Sequence, residues 1–224
     1  GVIFAQEKPG CAVVTDSVTS EGLAVFLKNL GLTHVRYLKG YANVIGKAKE
    51  LTESGEMNAE MAIETSGHCA MRENGYLDDG TYTAVQVVSL LARLQGHGQS
   101  KSLLDLIADL KELDEVCELR MKTSSLEAMR DIFDVCARHV ENHCLSADTN
   151  TPWSLDTDNL EGIRVRLGDS QFFMLRKSLH DPIISLQIEA RSKDEARQLM
   201  VGPLCELLSS DLSIALDLAV LRDY

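Results

Sequence analysis

PGCAVVTDSVTSEGLAVFLKNLGLTHVRY, residues 9–37, is the stretch from which the fold can be read. Cys11 to Thr15 is a short, β-branched apolar run behind a Pro-Gly turn, the pattern of a buried strand. Small polar residues from Asp16 to Ser20 end it. Leu23, Phe26, Leu27 and Leu30 then recur at helical spacing, and Gly31 stops the helix over Glu21 to Leu30. Thr33 to Tyr37 reads as the next strand. Outward from this unit, Val44 to Ser54 is helical and ends at Gly55, and Met61 to Ile63 is a third short strand. Asp79 can cap a helix from Gly80 to Leu94, whose apolar stripe is Ala84, Val87, Val88, Leu91 and Leu94. Strands alternating with helices imply parallel βαβ units, so residues 1–98 read as an α/β layer.

Gly96 to Ser100 (GHGQS) is a turn or hinge by composition, and Lys101 to Leu119 is leucine-rich and charge-studded in a helical manner. Residues 99–121 are therefore expected to be a connecting helix or hinge. Ser125 to His143 is amphipathic, with Leu126, Met129, Ile132, Phe133, Cys136 and Val140 on one face. The pattern then changes. Glu161 to Leu167, Gln171 to Leu175 and Ile183 to Glu189 are strand runs, and Ser192 to Leu208 reads as a helix. Residues 122–224 thus form a second, smaller α+β domain with an antiparallel sheet packed on helices.

Charge excludes some functions. The 22 basic and 34 acidic residues leave a net charge of −12 with neutral histidine, the reverse of the surplus that holds nucleic acid or an anionic membrane. No apolar run approaches the roughly 20 residues of a membrane span. The cysteines at 11, 69, 117, 136, 144 and 205 contain no CxxC pair, which favours free thiols in a reducing compartment and a cytoplasmic location. Cys136, His139, His143 and Cys144 are spaced unlike any common zinc pattern, so no metal is expected on this chain. Because the chain starts at Gly1 without methionine, it is expected to begin part-way through a longer protein.

Three segments could carry chemistry. Glu64-Thr65-Ser66-Gly67-His68 follows the third strand, and ligands of open α/β sheets bind beyond the carboxyl ends of the strands. There Glu64 can accept two sugar hydroxyls while Ser66 and His68 donate; the bland alternative is a turn with capping residues. Asp78-Asp79-Gly80 could bind a metal, but a carboxylate at a helix N-terminus is more simply a cap. Arg176-Lys177-Ser178-Leu179-His180-Asp181-Pro182 joins two strands and brings two cations, a hydroxyl and an imidazole to one loop, a phosphate cradle or a polar hairpin. His34, His97, His139 and His143 lack such company and read as structural or solvent-exposed.

Together these segments resemble the α-D-phosphohexomutase superfamily of phosphomannomutases and phosphoglucomutases, over its third and fourth domains only. Glu64 to His68 is similar to the sugar-recognition loop E-x-S-G-H, and Tyr76-Leu77-Asp78-Asp79-Gly80 to the aromatic-x-D-D-G segment after it. Val14 to Ser20 and Lys39 to Ile45 resemble two earlier third-domain segments, and Arg176 to Pro182 a variant, R-x-S-x-H-x-P, of the fourth-domain phosphate loop. The resemblance implies an α/β/α layered domain with a mixed, mostly parallel sheet, followed by the α+β domain. It implies that Glu64 and Ser66 hold sugar hydroxyls, that His68 sits by the reacting end, and that Arg176, Ser178 and His180 grip the non-transferred phosphate. A phosphoserine of the first domain and a Mg2+ ion on a D-G-D-x-D-R loop of the second complete such enzymes, with a hexose 1,6-bisphosphate as intermediate. Neither loop occurs in this chain, and Ala42 stands where the family often has lysine, with Lys39 or Lys47 as substitutes. The expected function is therefore the phosphohexose-recognition half of a mutase, completed by missing N-terminal domains. The alternative is a catalytically inactive, mutase-derived structural subunit of a larger assembly.

Overall fold

The computed structural model describes residues 1–96, 102–146, 151–168, 170–211 and 216–224 and divides into two compact units, Gly1–Glu112 and Leu113–Tyr224. The hinge expected at GHGQS, with His97, falls almost wholly outside the described residues.

The first unit is built on β1 (Ala12–Thr15), which lies between two parallel neighbours, β2 (Thr33–Arg36) and β3 (Ala59–Ile63). A short antiparallel strand, β4 (Cys69–Met71), extends the sheet to the order β2-β1-β3-β4. Around it lie α1 (Val2–Glu7), α2 (Glu21–Asn29), α3 (Tyr41–Glu53) and α4 (Gly80–Gly96). The apolar run of β1 is continuous because both its faces are covered. Cys11 and Val13 pack with Phe4 of α1 and Leu27 of α2, whereas Ala12 and Val14 pack with Val44, Ala48 and Leu51 of α3. The result is a three-layered α/β/α unit. Ser20 caps α2 by accepting the Leu23 N–H at 3.0 Å.

The second unit holds an antiparallel sheet of β5 (Glu115–Lys122), β6 (Trp153–Leu155), β7 (Ile163–Leu167), β8 (Gln171–Lys177) and β9 (Ile183–Ala190), ordered β5-β9-β8-β7-β6. Against one face pack α5 (Leu126–Leu145) and the helical run of α6 (Lys193–Ala196), a π-helical turn (Arg197–Val201) and α7 (Gly202–Ser209), followed by α8 (Ala219–Arg222). Met129, Phe133, Cys136 and Val140 of α5 meet Phe173 and Leu175 of β8 and Ile184, Leu186 and Ile188 of β9. Trp153 Nε1–H donates to the Leu199 carbonyl in the π-helical turn at 2.7 Å.

The helix expected over Lys101 to Leu119 is not formed. Leu104–Ile107 is a single 3-10 turn, and Glu115–Lys122 is a strand that pairs with the last strand of the sheet. The leucines upstream mimic a helical stripe, but Cys117, Leu119 and Met121 alternate with Glu118, Arg120 and Lys122, and only the first set faces the core. Among the described residues no helix is long and apolar enough to cross a membrane.

Candidate functional site

In the first unit the loops that follow β1, β2 and β3 are tied to one another by buried polar contacts. Asp16, directly after β1, is fully buried. Its Oδ1 accepts the Thr19 hydroxyl at 2.8 Å, and its Oδ2 accepts the Thr65 N–H at 3.2 Å and the Thr65 hydroxyl at 2.9 Å. Arg36, at the end of β2, clasps the same loop: its Nη2 lies 3.1 Å from both Glu21 Oε1 and the Thr19 carbonyl. Glu64, directly after β3, is 7% exposed and its Oε1 accepts the Gly40 N–H at 2.6 Å. That contact draws the turn before α3 onto the loop after β3. Gly40 has φ +116°, and a Cβ there would approach Asn43 Nδ2 to 3.1 Å, so only glycine fits the turn.

The loop after β3 closes as a tight hairpin into β4. The Glu64 N–H donates to the His68 carbonyl at 2.9 Å, the Gly67 N–H donates to the Glu64 carbonyl at 3.0 Å, and Gly67 has φ +95°. Ser66 Oγ stands 3.5 Å from Glu64 Oε2. His68 Nδ1 lies 2.6 Å from Asp78 Oδ2, and the other oxygen of Asp78 accepts the Cys69 N–H at 3.1 Å. A carboxylate only accepts, so Nδ1 carries the proton in this pair and Nε2 is left as the other ring nitrogen. The imidazole is half exposed, with the Tyr41 ring 5.2 Å from it between centroids.

Tyr76 to Gly80 sets this up. Tyr76 adopts φ +58°, rare for a non-glycine residue, and buries its hydroxyl against Thr52 (2.8 Å) and the Ala59 carbonyl, which pins the loop to α3 and β3. Burial pushes its phenol pKa up. From that anchor the two aspartates diverge. Asp79 accepts the Tyr82 N–H at 2.9 Å and Asn74 Nδ2 at 3.2 Å, so it caps α4; the Tyr82 N–H above all holds its carboxyl below the usual range. Asp78 is not a cap: it fixes His68. The sequence alone does not reveal that pairing, because ten positions separate the two residues.

In the second unit, Arg176 is the penultimate residue of β8 and is 9% exposed. A cavity of about 50 Å3 is lined by Glu118, Arg120, Arg176, Ser178, Asp181, Ile183 and Ser185. Ser178 Oγ accepts the N–H groups of His180 (3.4 Å) and Asp181 (3.2 Å), and the Pro182 carbonyl accepts from Thr123 through both its N–H and its hydroxyl at 2.9 Å, which fixes the loop. Lys177 does not join the cradle. Alternation along β8 sends it to the opposite face, where its Nζ lies 4.8 Å from the centre of the Phe133 ring. His180 is exposed and stands outside the residues that line the cavity. Arg120 and Ser185, absent from the loop motif, are part of the lining instead.

Residues 2–113 match the family model described as phosphoglucomutase/phosphomannomutase, alpha/beta/alpha domain III. The chain belongs to this family. A curated relative, the phosphoglucosamine mutase of Aliivibrio salmonicida, is 26% identical over 190 residues, which cover 83% of this chain and 34% of the relative. A phosphoglucomutase/phosphomannomutase family protein of Burkholderia thailandensis superposes with a TM-score of 0.67 at 21% identity, over 93% of this chain and 41% of that one. Parafusin, a phosphoglucomutase of Paramecium, gives 0.52 at 12% identity, over 88% and 37%. These structural likenesses concern the fold. The chain spans about a third of the length of the curated relative.

Ala42, the position at which the sequence resemblance leads one to expect a lysine, lies in the first turn of α3. Lys47 Nζ is 2.8 Å from Glu50 Oε1, the hydrogen bond that raises its pKa, and 5.7 Å from the centre of the Tyr37 ring. The metal of the family does not fit the acidic residues here. Asp16, Asp78 and Asp79 spend their oxygens on the N–H and hydroxyl donors described above, and among the described residues no three His, Cys, Asp or Glu side chains come together as a ligand set. Away from both loops, three other histidines among the described residues have structural partners. His34 Nε2 lies 2.7 Å from Thr15 Oγ1, His139 Nε2 lies 2.9 Å from Asp211 Oδ2, and the His143 ring meets Trp153 edge-on at 4.9 Å.

Proposed function

We propose that this chain is the sugar- and phosphate-recognition half of a cytoplasmic phosphohexomutase that interconverts hexose 1-phosphate and hexose 6-phosphate through a hexose 1,6-bisphosphate. The observation that carries the reading is the convergence of Asp16, Gly40, Glu64 and the His68–Asp78 pair at the carboxyl ends of three parallel strands, within the residues that match the family's third domain. In this reading Glu64, pre-oriented by the Gly40 N–H, accepts sugar hydroxyls with its remaining lone pairs. Ser66 donates its hydroxyl beside it. His68, oriented through Nδ1 by Asp78, presents Nε2 to the reacting end and can hold or give up a proton there. Arg176 and Ser178 bind the phosphate that is not transferred, with His180 at the edge of that site.

Phosphoryl transfer needs a donor and a concentration of positive charge around the transferring group. The donor serine and Mg2+ would come from domains outside this chain, and the part played here is to hold the substrate in register with them. The curated relative is named for an amino-sugar phosphate, which puts glucosamine phosphate beside glucose and mannose phosphates as substrates to be compared.

The reading is tested by assaying hexose 1- to 6-phosphate conversion with this chain alone and in the protein that carries the remaining domains. The isolated chain is expected to be inactive and the completed protein active. Robust turnover by the chain alone would overturn the division of labour. An inactive completed protein that binds no phosphohexose would favour a structural subunit.

A further inference from the structure

The cavity beside Arg176 is more than a loop. Arg120 on β5, Ser185 on β9 and Arg176 on β8 are directly opposite one another across three adjacent strands, on the sheet face turned away from the core. Ser185 is 2% exposed and lines the cavity, and its Oγ has no hydrogen-bonding partner among the described residues. A buried hydroxyl in that state carries a desolvation penalty with nothing to offset it, unless a ligand completes it. Its charged neighbours Arg120 and Arg176 are donors only, so a group that satisfied all three would be an acceptor with several oxygens.

One carboxylate already competes for that role. Glu118 Oε1 lies 3.1 Å from Arg120 Nε and 3.7 Å from Arg176 Nη2. Glu118 is on β5, the edge strand of the sheet, and its side chain is 23% exposed, so it has room to swing outward. Asp181 is the second carboxylate at the cavity. The lining therefore pairs two guanidinium groups with two acids: it is electrically balanced when empty and repels part of the charge of an incoming anion.

We infer that Glu118 is an internal counter-anion of the phosphate subsite, which the substrate phosphate must displace from Arg176, and that Ser185 and Arg120 complete the subsite as phosphate ligands. The inference rests on the reading that this cavity takes the substrate's phosphate. It accounts for the unsatisfied hydroxyl, which becomes a donor to a phosphate oxygen. It also suits the proposed chemistry. A bisphosphate that reorients within a turnover has to leave this subsite and return, and a carboxylate ready to recapture Arg176 makes release easier at the expense of affinity.

The test is calorimetric titration of the 224-residue chain with inorganic phosphate and with glucose 6-phosphate, for the wild type, Glu118→Gln, Ser185→Ala, Arg176→Ala and the Glu118→Gln/Arg176→Ala pair. Glu118→Gln should bind on the order of tenfold tighter, and the gain should vanish when Arg176 is also replaced. Ser185→Ala should bind about tenfold more weakly while its melting temperature is not lowered, since the hydroxyl makes no hydrogen bond to the described residues of the empty protein. Binding by Glu118→Gln that is equal to or weaker than wild type, or wild-type binding by Ser185→Ala, would overturn the inference. If Glu118→Gln does not fold, Glu118→Asp, withdrawn by one methylene, should show a smaller gain, and its absence would overturn the inference equally. Failure of the underlying reading looks different: Arg176→Ala would then bind phosphate as the wild type does.

Discussion

Replacing Glu64 by alanine should destabilise the first unit by an amount that can be worked out from two contacts. Its buried Oε1 accepts the Gly40 N–H at 2.6 Å, and Gly40 is the N-cap of α3. Truncation leaves that N–H unpaired, which costs about 1–3 kcal/mol. It also removes an anion from the positive end of the helix dipole, worth about 0.3–1 kcal/mol. The sum is about 1.3–4 kcal/mol, and a unit of this size loses roughly 4 °C of Tm per kcal/mol, so Tm should fall by about 5–16 °C. Glu64→Gln keeps an oxygen acceptor for Gly40, so it should lose less than about 1 kcal/mol while weakening phosphohexose binding about tenfold through loss of the charged acceptor. Scanning calorimetry with hydrogen exchange at residues 39–43 reads both effects, and emission of Trp153, the single tryptophan, follows the second unit as a reference. A Glu64→Ala protein that melts like wild type, or a Gln variant as unstable as the Ala variant, would refute the tethering role.

Three further outcomes follow from particular contacts. Tyr76→Phe removes the hydroxyl that bonds Thr52 and the Ala59 carbonyl, and urea unfolding should register a loss of about 1–2 kcal/mol. Arg176→Ala should abolish phosphate binding in a titration, whereas Lys177→Ala should leave it unchanged, because Lys177 packs on Phe133 across the sheet. Burial pushes the Cys136 thiol from 9.0 up to about 12. The folded protein keeps this proton where the unfolded chain has lost it, so stability is full below about pH 9 and falls above it by about 1.4 kcal/mol per pH unit per such thiol. Melting temperatures measured from pH 7 to 11 should decline only beyond pH 9, and less steeply in Cys136→Ala.

The α/β character was legible because β1 is covered on both faces, which writes Ala12 to Thr15 as an unbroken apolar run between turn signals. β4 escaped notice because Cys69 to Met71 is too short to show any period. β5 was hidden by the leucines before it, although the alternation of Cys117, Leu119 and Met121 was there to be read. The two candidate loops were visible as motifs, since Glu64 to His68 and Arg176 to Pro182 concentrate polar residues where strands end. What completes them was not. The pairing of His68 with Asp78 depends on a hairpin and a left-handed Tyr76, and the row of Arg120, Ser185 and Arg176 depends on a cross-strand register that only the folded sheet defines. Lys177 shows the reverse case, a residue adjacent in sequence that a period of two places on the wrong face.

The most direct test of the central claim is an amide NMR titration of the 224-residue chain with glucose 1-phosphate and glucose 6-phosphate. Recognition of a phosphohexose by this half predicts shifts in residues 64–68 with Gly40, and in residues 176–182 with Ser185, that saturate together and are lost at the second loop in Arg176→Ala. Saturating phosphohexose that moves neither loop would contradict it.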